Sequence, residues 1–273
     1  MIRPTLGRVG IAVAALALPF GLAAVPAQAS EMATVSVLHA IPEGSGADVV
    51  DVFANGDLLI DNFTPGTLET VEVPAGTYDL AVFGDGQTPD DAEPVLIAEA
   101  VEVPGGVNAT VTANLDAEGA PALNVFVNNI SALAAGESRL IVRHIAAAPA
   151  VDVLADGAVI FADVTNPNEG VVVVPAGDYE ASVNLAGTDT TVLGPAPVML
   201  EEGTVTIAYA WGSAADENLS LATQVITDLS TGPEGVPAGG GSTTQLPIWA
   251  LGLAALGAAA VVGAGARMAA ARI

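Results

Sequence analysis

Two histidines, His39 and His144, and two aspartates, Asp51 and Asp152, are the side chains whose type and spacing could support chemistry in this 273-residue chain. A general base or metal ligand is the chemistry a histidine offers near neutral pH. Paired carboxylates could cut a glycosidic bond only if they faced one cleft at a suitable separation. The chain has no Cys, which excludes disulfide frameworks, thiolate metal sites and cysteine nucleophiles together. Gly-x-Ser-x-Gly is also absent, and Gly44-Ser45-Gly46 reads as a loop insertion. Both histidines sit beside valines and leucines in strand alternation, His39 with Val35 and Val37, and His144 with Leu140 and Val142. They are expected to be half-buried imidazoles bonded to backbone at strand ends. Asp51 and Asp152 are expected to be solvated or turn-bonded acids opposite their valine neighbours. No catalytic, cofactor-binding or metal-binding residue is assigned, and no cofactor is expected. The strongest cation candidate is the acidic stretch holding Asp85, Asp90, Asp91 and Glu93. It lacks EF-hand spacing and has no counterpart at Gly187-Thr188-Asp189, so a solvated acidic loop is the expectation.

These residues occupy a duplicated frame. Val73-Pro74-Ala75-Gly76-Thr77-Tyr78-Asp79 returns as Val174-Pro175-Ala176-Gly177-Asp178-Tyr179-Glu180, an offset of 101 residues. Val50-Asp51-Val52 returns as Val151-Asp152-Val153 at the same offset of 101, His39 returns as His144 at 105, and Gly106–Ala113 as Gly203–Ala210 at 97. Ordered blocks with a drifting offset describe two homologous domains with loop insertions. Runs rich in Val, Ile, Leu and Thr, broken by turn residues, predict an all-β fold with two tandem immunoglobulin-like β-sandwich domains over 33–133 and 138–229. Asn55-Gly56 and Asp156-Gly157 predict hairpin turns. Pro-Ala-Gly predicts a tight turn between Glu69–Val73 and Thr77–Phe83, and again between Val171–Val174 and Asp178–Asn184.

The order His39-Ala40, Pro42, Val50-Asp51-Val52, Asn55-Gly56 and Val73 to Tyr78 resembles the bacterial and archaeal domain of unknown function 4397. The second copy shows His144, Pro149, Val151-Asp152-Val153 and Val174 to Tyr179, departing at Ile145 where the pattern has Ala. The resemblance implies secreted or surface-anchored β-domains, commonly in tandem, with no catalytic residues to carry over.

The ends specify an address. Residues 1–29 read as a signal peptide: Arg3 and Arg8, an apolar run, then Ala27-Gln28-Ala29. Residues 230–245 form a Gly/Pro/Ser/Thr-rich linker. Leu246 to Ala266 is uncharged and long enough for a transmembrane helix, with Trp249 at its outer end and Arg267 and Arg272 in a cytoplasmic tail over 267–273. The order of spacer, Leu-Pro, helix and Arg tail is similar to wall-sorting signals, but Leu246-Pro247-Ile248-Trp249-Ala250 lacks the Thr-Gly pair a transpeptidase cleaves. The expected location is the cell envelope, with an extracellular ectodomain held in the plasma membrane by this single helix.

All 31 acids lie between Glu31 and Glu234, with only Arg139 and Arg143 among them, so that stretch carries a formal charge of −29. Nucleic acid is excluded as a partner, because phosphates need Lys and Arg. Cell-wall or surface components and divalent cations remain as partners, and the charge is expected to keep the two domains soluble and separate. The function expected is non-catalytic: a membrane-anchored cell-surface protein presenting two acidic β-sandwich domains for envelope architecture, adhesion or ligand capture. A carbohydrate- or peptide-binding module is the alternative, disfavoured by 4% aromatic residues, and a secreted hydrolase stands further off.

Overall fold

The computed structural model describes residues 31–231. The signal peptide, nearly all of the linker, the transmembrane segment and the tail lie outside the described residues. What is described is all-β, sixteen strands without a helix. Strands β1 (Met32–Ala40), β2 (Val50–Ala54), β3 (Asp57–Phe63), β4 (Leu68–Pro74), β5 (Gly76–Gly84), β6 (Leu96–Val103), β7 (Asn108–Leu115) and β8 (Pro121–Val127) build the first sandwich. Strands β9 (Glu137–His144), β10 (Val151–Ala155), β11 (Ala158–Val164), β12 (Glu169–Pro175), β13 (Gly177–Leu185), β14 (Thr191–Leu200), β15 (Val205–Trp211) and β16 (Ser220–Ile226) build the second.

The duplication read from the sequence extends to topology. The first sandwich has sheets ordered β4-β1-β7-β8 and β3-β2-β5-β6, and the second has β12-β9-β15-β16 and β11-β10-β13-β14. The sandwich architecture is the expected one, with eight strands in each unit. The predicted hairpins form, with Asn55 at φ 53° and Gly56 at 85°, and Asp156 at 49° and Gly157 at 77°. Both positions of such a turn need positive φ, which Asn, Asp and Gly tolerate. Pro-Ala-Gly does something different from the expected tight turn. The strands it joins, β4 and β5, lie in different sheets, so it is a corner that passes the chain across the sandwich. Gly76 is absent from the positive-φ positions, and the corner is fastened instead by the Tyr78 hydroxyl donating to Pro74 O at 2.7 Å. Tyr179 donates to Pro175 O at 2.8 Å in the second copy.

The two domains are not separate. In each unit the two central strands of one sheet run parallel, β1 with β7 and β9 with β15. From Val35 onward β1 is buried at every residue, and β7, β9 and β15 are buried at nearly every one. A sandwich core explains only alternate residues. Val35, Val37, Val111 and Ala113 face inward in the first unit, and Leu140, Val142 and Ala208 in the second. The opposite faces of these strands pack on each other: Leu38 and Ala40 share one apolar cluster with Ile141, Ile207, Tyr209 and Trp211. The result is four sheets stacked face to face. Self-repulsion does not prevent it because the mating faces present Ser36, Leu38, Thr110 and Thr112 to Ile141, Ile207 and Tyr209, none of them acidic.

Candidate functional site

The structure places both histidines deep inside. His39 is 1% exposed and His144 2%, at the ends of β1 and β9. His39 Nε2 lies 2.8 Å from Ala47 O, and Ile41 N–H donates to Nδ1 at 3.4 Å. His144 repeats the pattern, with Nε2 3.0 Å from Pro149 O and Ala146 N–H donating to Nδ1 at 3.4 Å. A neutral imidazole protonated on Nε2 satisfies both bonds. Removal from water holds both rings below the ordinary histidine value. Each ring therefore pins the loop after its strand, with neither nitrogen left over for a substrate or metal. The expected half-burial is in fact complete, because the ring lies under the following loop as well as on the core face.

Asp51 and Asp152 are clips between turns. Asp51 Oδ1 accepts from Asn62 N–H at 2.9 Å and Oδ2 from Gly86 N–H at 2.9 Å. Asp152 takes Asp163 N–H at 2.8 Å and Gly187 N–H at 2.9 Å. All four donors sit at positive φ, where the chain bends and its amides would otherwise go unpaired. Asp51 is buried at 4% exposure, so the solvated alternative does not hold for it. The backbone bonds to Asp163 and Gly187 hold the Asp152 carboxyl below the usual range. The two aspartates belong to different sandwiches and do not share a cleft.

In the acidic stretch, Asp91 accepts from Thr88 N–H at 2.8 Å, closing a turn. Among the described residues no three of His, Asp or Glu converge to hold a metal ion.

The most developed polar site lies between the sandwiches, on faces to which the sequence assigns no site. Arg143, wholly buried on β9, donates from Nη1 to the Tyr209 hydroxyl at 2.9 Å and from Nη2 to Asn128 Oδ1 of the first sandwich at 2.8 Å. Its Nε pairs with Glu169 at 2.8 Å. Tyr209 donates to Gln224 Oε1 at 2.6 Å, which also accepts from Thr110 Oγ1 at 3.0 Å, and Gln224 Nε2 donates to Ser36 Oγ at 2.9 Å. Burial pushes the Tyr209 phenol upward, keeping it a neutral donor. Arg139, four residues earlier on the same face, donates from Nη1 to Asn129 O at 2.8 Å and Ser131 O at 3.0 Å in the connecting segment. A planar guanidinium can meet several acceptors at fixed angles, as such a junction needs. One signal for this face was available: the only two arginines of an acidic stretch stand on one face of one strand with Ile141 between them.

Comparison with known proteins gives a family for the first unit. Residues 33–154 match the model of the domain of unknown function DUF4397, and the chain carries a domain of that family. The match runs from Ala33 in β1 through the rest of the first sandwich and β9 to Leu154 in β10 of the second. No curated protein matches the chain. Among solved structures, "The Bacillus anthracis TIE protein" is similar at 10% identity and a TM-score of 0.21, over 66% of this chain. The chain spans 33% of the length of that protein.

Proposed function

We propose that this is a non-catalytic, membrane-anchored cell-surface protein whose two acidic sandwiches act as one stiff unit in cell-envelope architecture. One observation carries the reading. Every Arg and His among the described residues is buried, leaving the acids as the only charges on the surface. Such a surface repels anionic envelope polymers and neighbouring copies, staying extended and soluble, and it attracts cationic surface components or bridging divalent ions. The face-to-face stack of four sheets supports a spacer or adhesive role better than a hinged pair of binding modules would. Carbohydrate capture has less support, because Trp211 is buried and the Tyr78 and Tyr179 hydroxyls are engaged with backbone. A hydrolase would need a free base, and both imidazoles are committed at both nitrogens.

Protease added to intact cells tests the topology. Release of a fragment ending within residues 230–245 is the expected result, and full protection of the chain until the cells are lysed would overturn it.

A further inference from the structure

The two sandwiches share a topology but not a core. Between its sheets the first has voids of about 50 and 40 Å³. The second holds a cavity of about 270 Å³ at the corresponding place. The repeat offsets show one source of the difference. Ala181 stands where the first copy has Leu80, and Ala208 where it has Val111, and all four line their respective cavities. Strand β14 contributes a second source. Gly194 at φ 85° lies so close to β13 that a Cβ there would come within 2.7 Å of Ala181 O. The pairing of β13 and β14 is bulged at this point, between Ala181 and Asn184. The cavity reaches the outer strands, where Val198 of β14 and Leu221 of β16 line it and Leu221 is 45% exposed. In the first sandwich the matching strands β6 and β8 approach each other more closely along that edge, where Val101, Val125 and Val127 line the smaller void.

We infer that the second sandwich takes a small, uncharged, apolar molecule between its sheets, entering along the edge formed by β14 and β16. The lining is mostly aliphatic, with Ser182, Thr206, Thr223 and Tyr179 as its hydroxyl-bearing residues, the last with its hydroxyl engaged by Pro175 O. An apolar cavity excludes water and binds hydrocarbon when the chemistry of its wall leaves nothing for water to bond. Scaled from a benzene-sized cavity, the space suits roughly ten carbons. An anionic head group has no counter-charge here. Arg139 and Arg143 are the only cations of the described residues, and both lie on the far face of β9 in the junction between the sandwiches. Asp156, at the rim, would repel a carboxylate further. The first sandwich is the internal control, since the same fold closes when Leu80 and Val111 are present. This site goes beyond the architectural role and does not depend on it, because the cavity belongs to the folded unit whether or not the chain is anchored.

Naphthalene is the probe, with the decanoate ion as its charged comparison. The full chain is melted in one fixed detergent, which lowers the free concentration of each compound equally for every variant. Naphthalene should raise the melting temperature saturably by about 3 °C or more, and decanoate should raise it less at equal free concentration. The variant Ala181→Leu/Ala208→Val, which restores the first sandwich's side chains, should melt at or above the parent and lose the naphthalene shift. If that double variant does not melt cooperatively, Ala208→Val alone replaces it, with a reduced shift expected. No shift in the parent, an equal shift in the filled variant, or a larger shift with decanoate would each overturn the inference.

Discussion

The guanidinium carbon of Arg143 lies 4.3 Å from the centre of the Phe126 ring, so the one fully buried cation of the second sandwich is stacked on an aromatic of the first. This contact and the bond from Nη2 to Asn128 make Arg143 a rivet through the junction. Replacing it with Met keeps most of the apolar bulk but leaves the buried acceptors Asn128 Oδ1 and Tyr209 Oη short of a donor. Glu169, 31% exposed, can recover water and adds little to the loss. We expect Arg143→Met to destabilise the chain by about 2–4 kcal/mol, and Arg143→Lys by somewhat less, because an ammonium cannot serve the same fork. Urea denaturation followed by circular dichroism measures both. A split of one transition into two would mark the sandwiches unfolding independently, whereas an unchanged midpoint would remove Arg143 from the junction's energetics.

The buried histidines predict how stability depends on pH. Both imidazoles are held below their ordinary value of 6.5, chiefly by loss of water around the ring. The unfolded chain therefore binds protons before the folded one does. Stability is fully retained above the unfolded value and declines as pH falls from about 6.5 towards the folded values. Melting temperature should drop on going from pH 7.5 to 5, and His39→Gln/His144→Gln should flatten that slope even if it melts lower throughout. A parent chain with no slope in this window would show the rings to be accessible.

Much of the fold was legible because its signals are local. Asn55-Gly56 and Asp156-Gly157 specify their own hairpins, and the repeated Val-Pro-Ala-Gly-x-Tyr block marks the same corner in both units. The role of Tyr78 in fastening that corner was not legible, since a hydroxyl's partner four residues back depends on the sheet switch that only the fold supplies. Asp51 looked like an ordinary strand-face acid because the amides it collects, Asn62 and Gly86, are 11 and 35 residues further along the chain. The junction is illegible for a related reason. Alternation tells which residues share a face but not what covers it, and the face of β9 that carries Arg139 and Arg143 reads as the solvated side of a sandwich strand. Tyr209 and Trp211 alternate on β15 as core residues do, and the core they enter lies between the sandwiches.

The matched aspartates give a comparison within one molecule. Asp51 is buried and both of its oxygens are engaged by backbone donors, so Asp51→Asn should cost about 1–3 kcal/mol through one weakened bond and one misplaced amide. Asp152 makes the same pair of bonds nearer to solvent, and Asp152→Asn should lower the melting temperature less. Because the Asp152 carboxyl is held below its ordinary value, its contribution is present above that value and fades as pH falls through the folded one, well below the histidine window. Thermal melts at pH 7 and pH 3 separate the cases: the penalty of Asp152→Asn should shrink at the lower pH. Equal penalties for the two substitutions at pH 7 would mean that burial does not distinguish the clips.

Gly66 and Trp211 meet across the junction and allow it to be watched directly. Gly66 sits at φ 81°, donates its N–H to His39 O at 2.7 Å, and lies where an added Cβ would be 3.3 Å from Trp211 Cζ2. An alanine there meets two costs, the left-handed backbone and the indole, and the first alone is about 1–2 kcal/mol. The indole cannot retreat freely, because it is 9% exposed and packed with Leu38 and Ile207. Gly66→Ala should therefore lower stability and also shift the emission of Trp211 to the red as the junction loosens. Trp249 is the other tryptophan, so the measurement is made in a Trp249→Phe background. Gly66→Asn tolerates the same φ better than alanine while adding a larger side chain, and separates strain from crowding. If the indole contact dominates, Gly66→Asn shows the larger red shift; if backbone strain dominates, Gly66→Ala is the less stable. A stability loss in both without any change in Trp211 emission would mean that the loop yields locally and the two sandwiches stay pressed together.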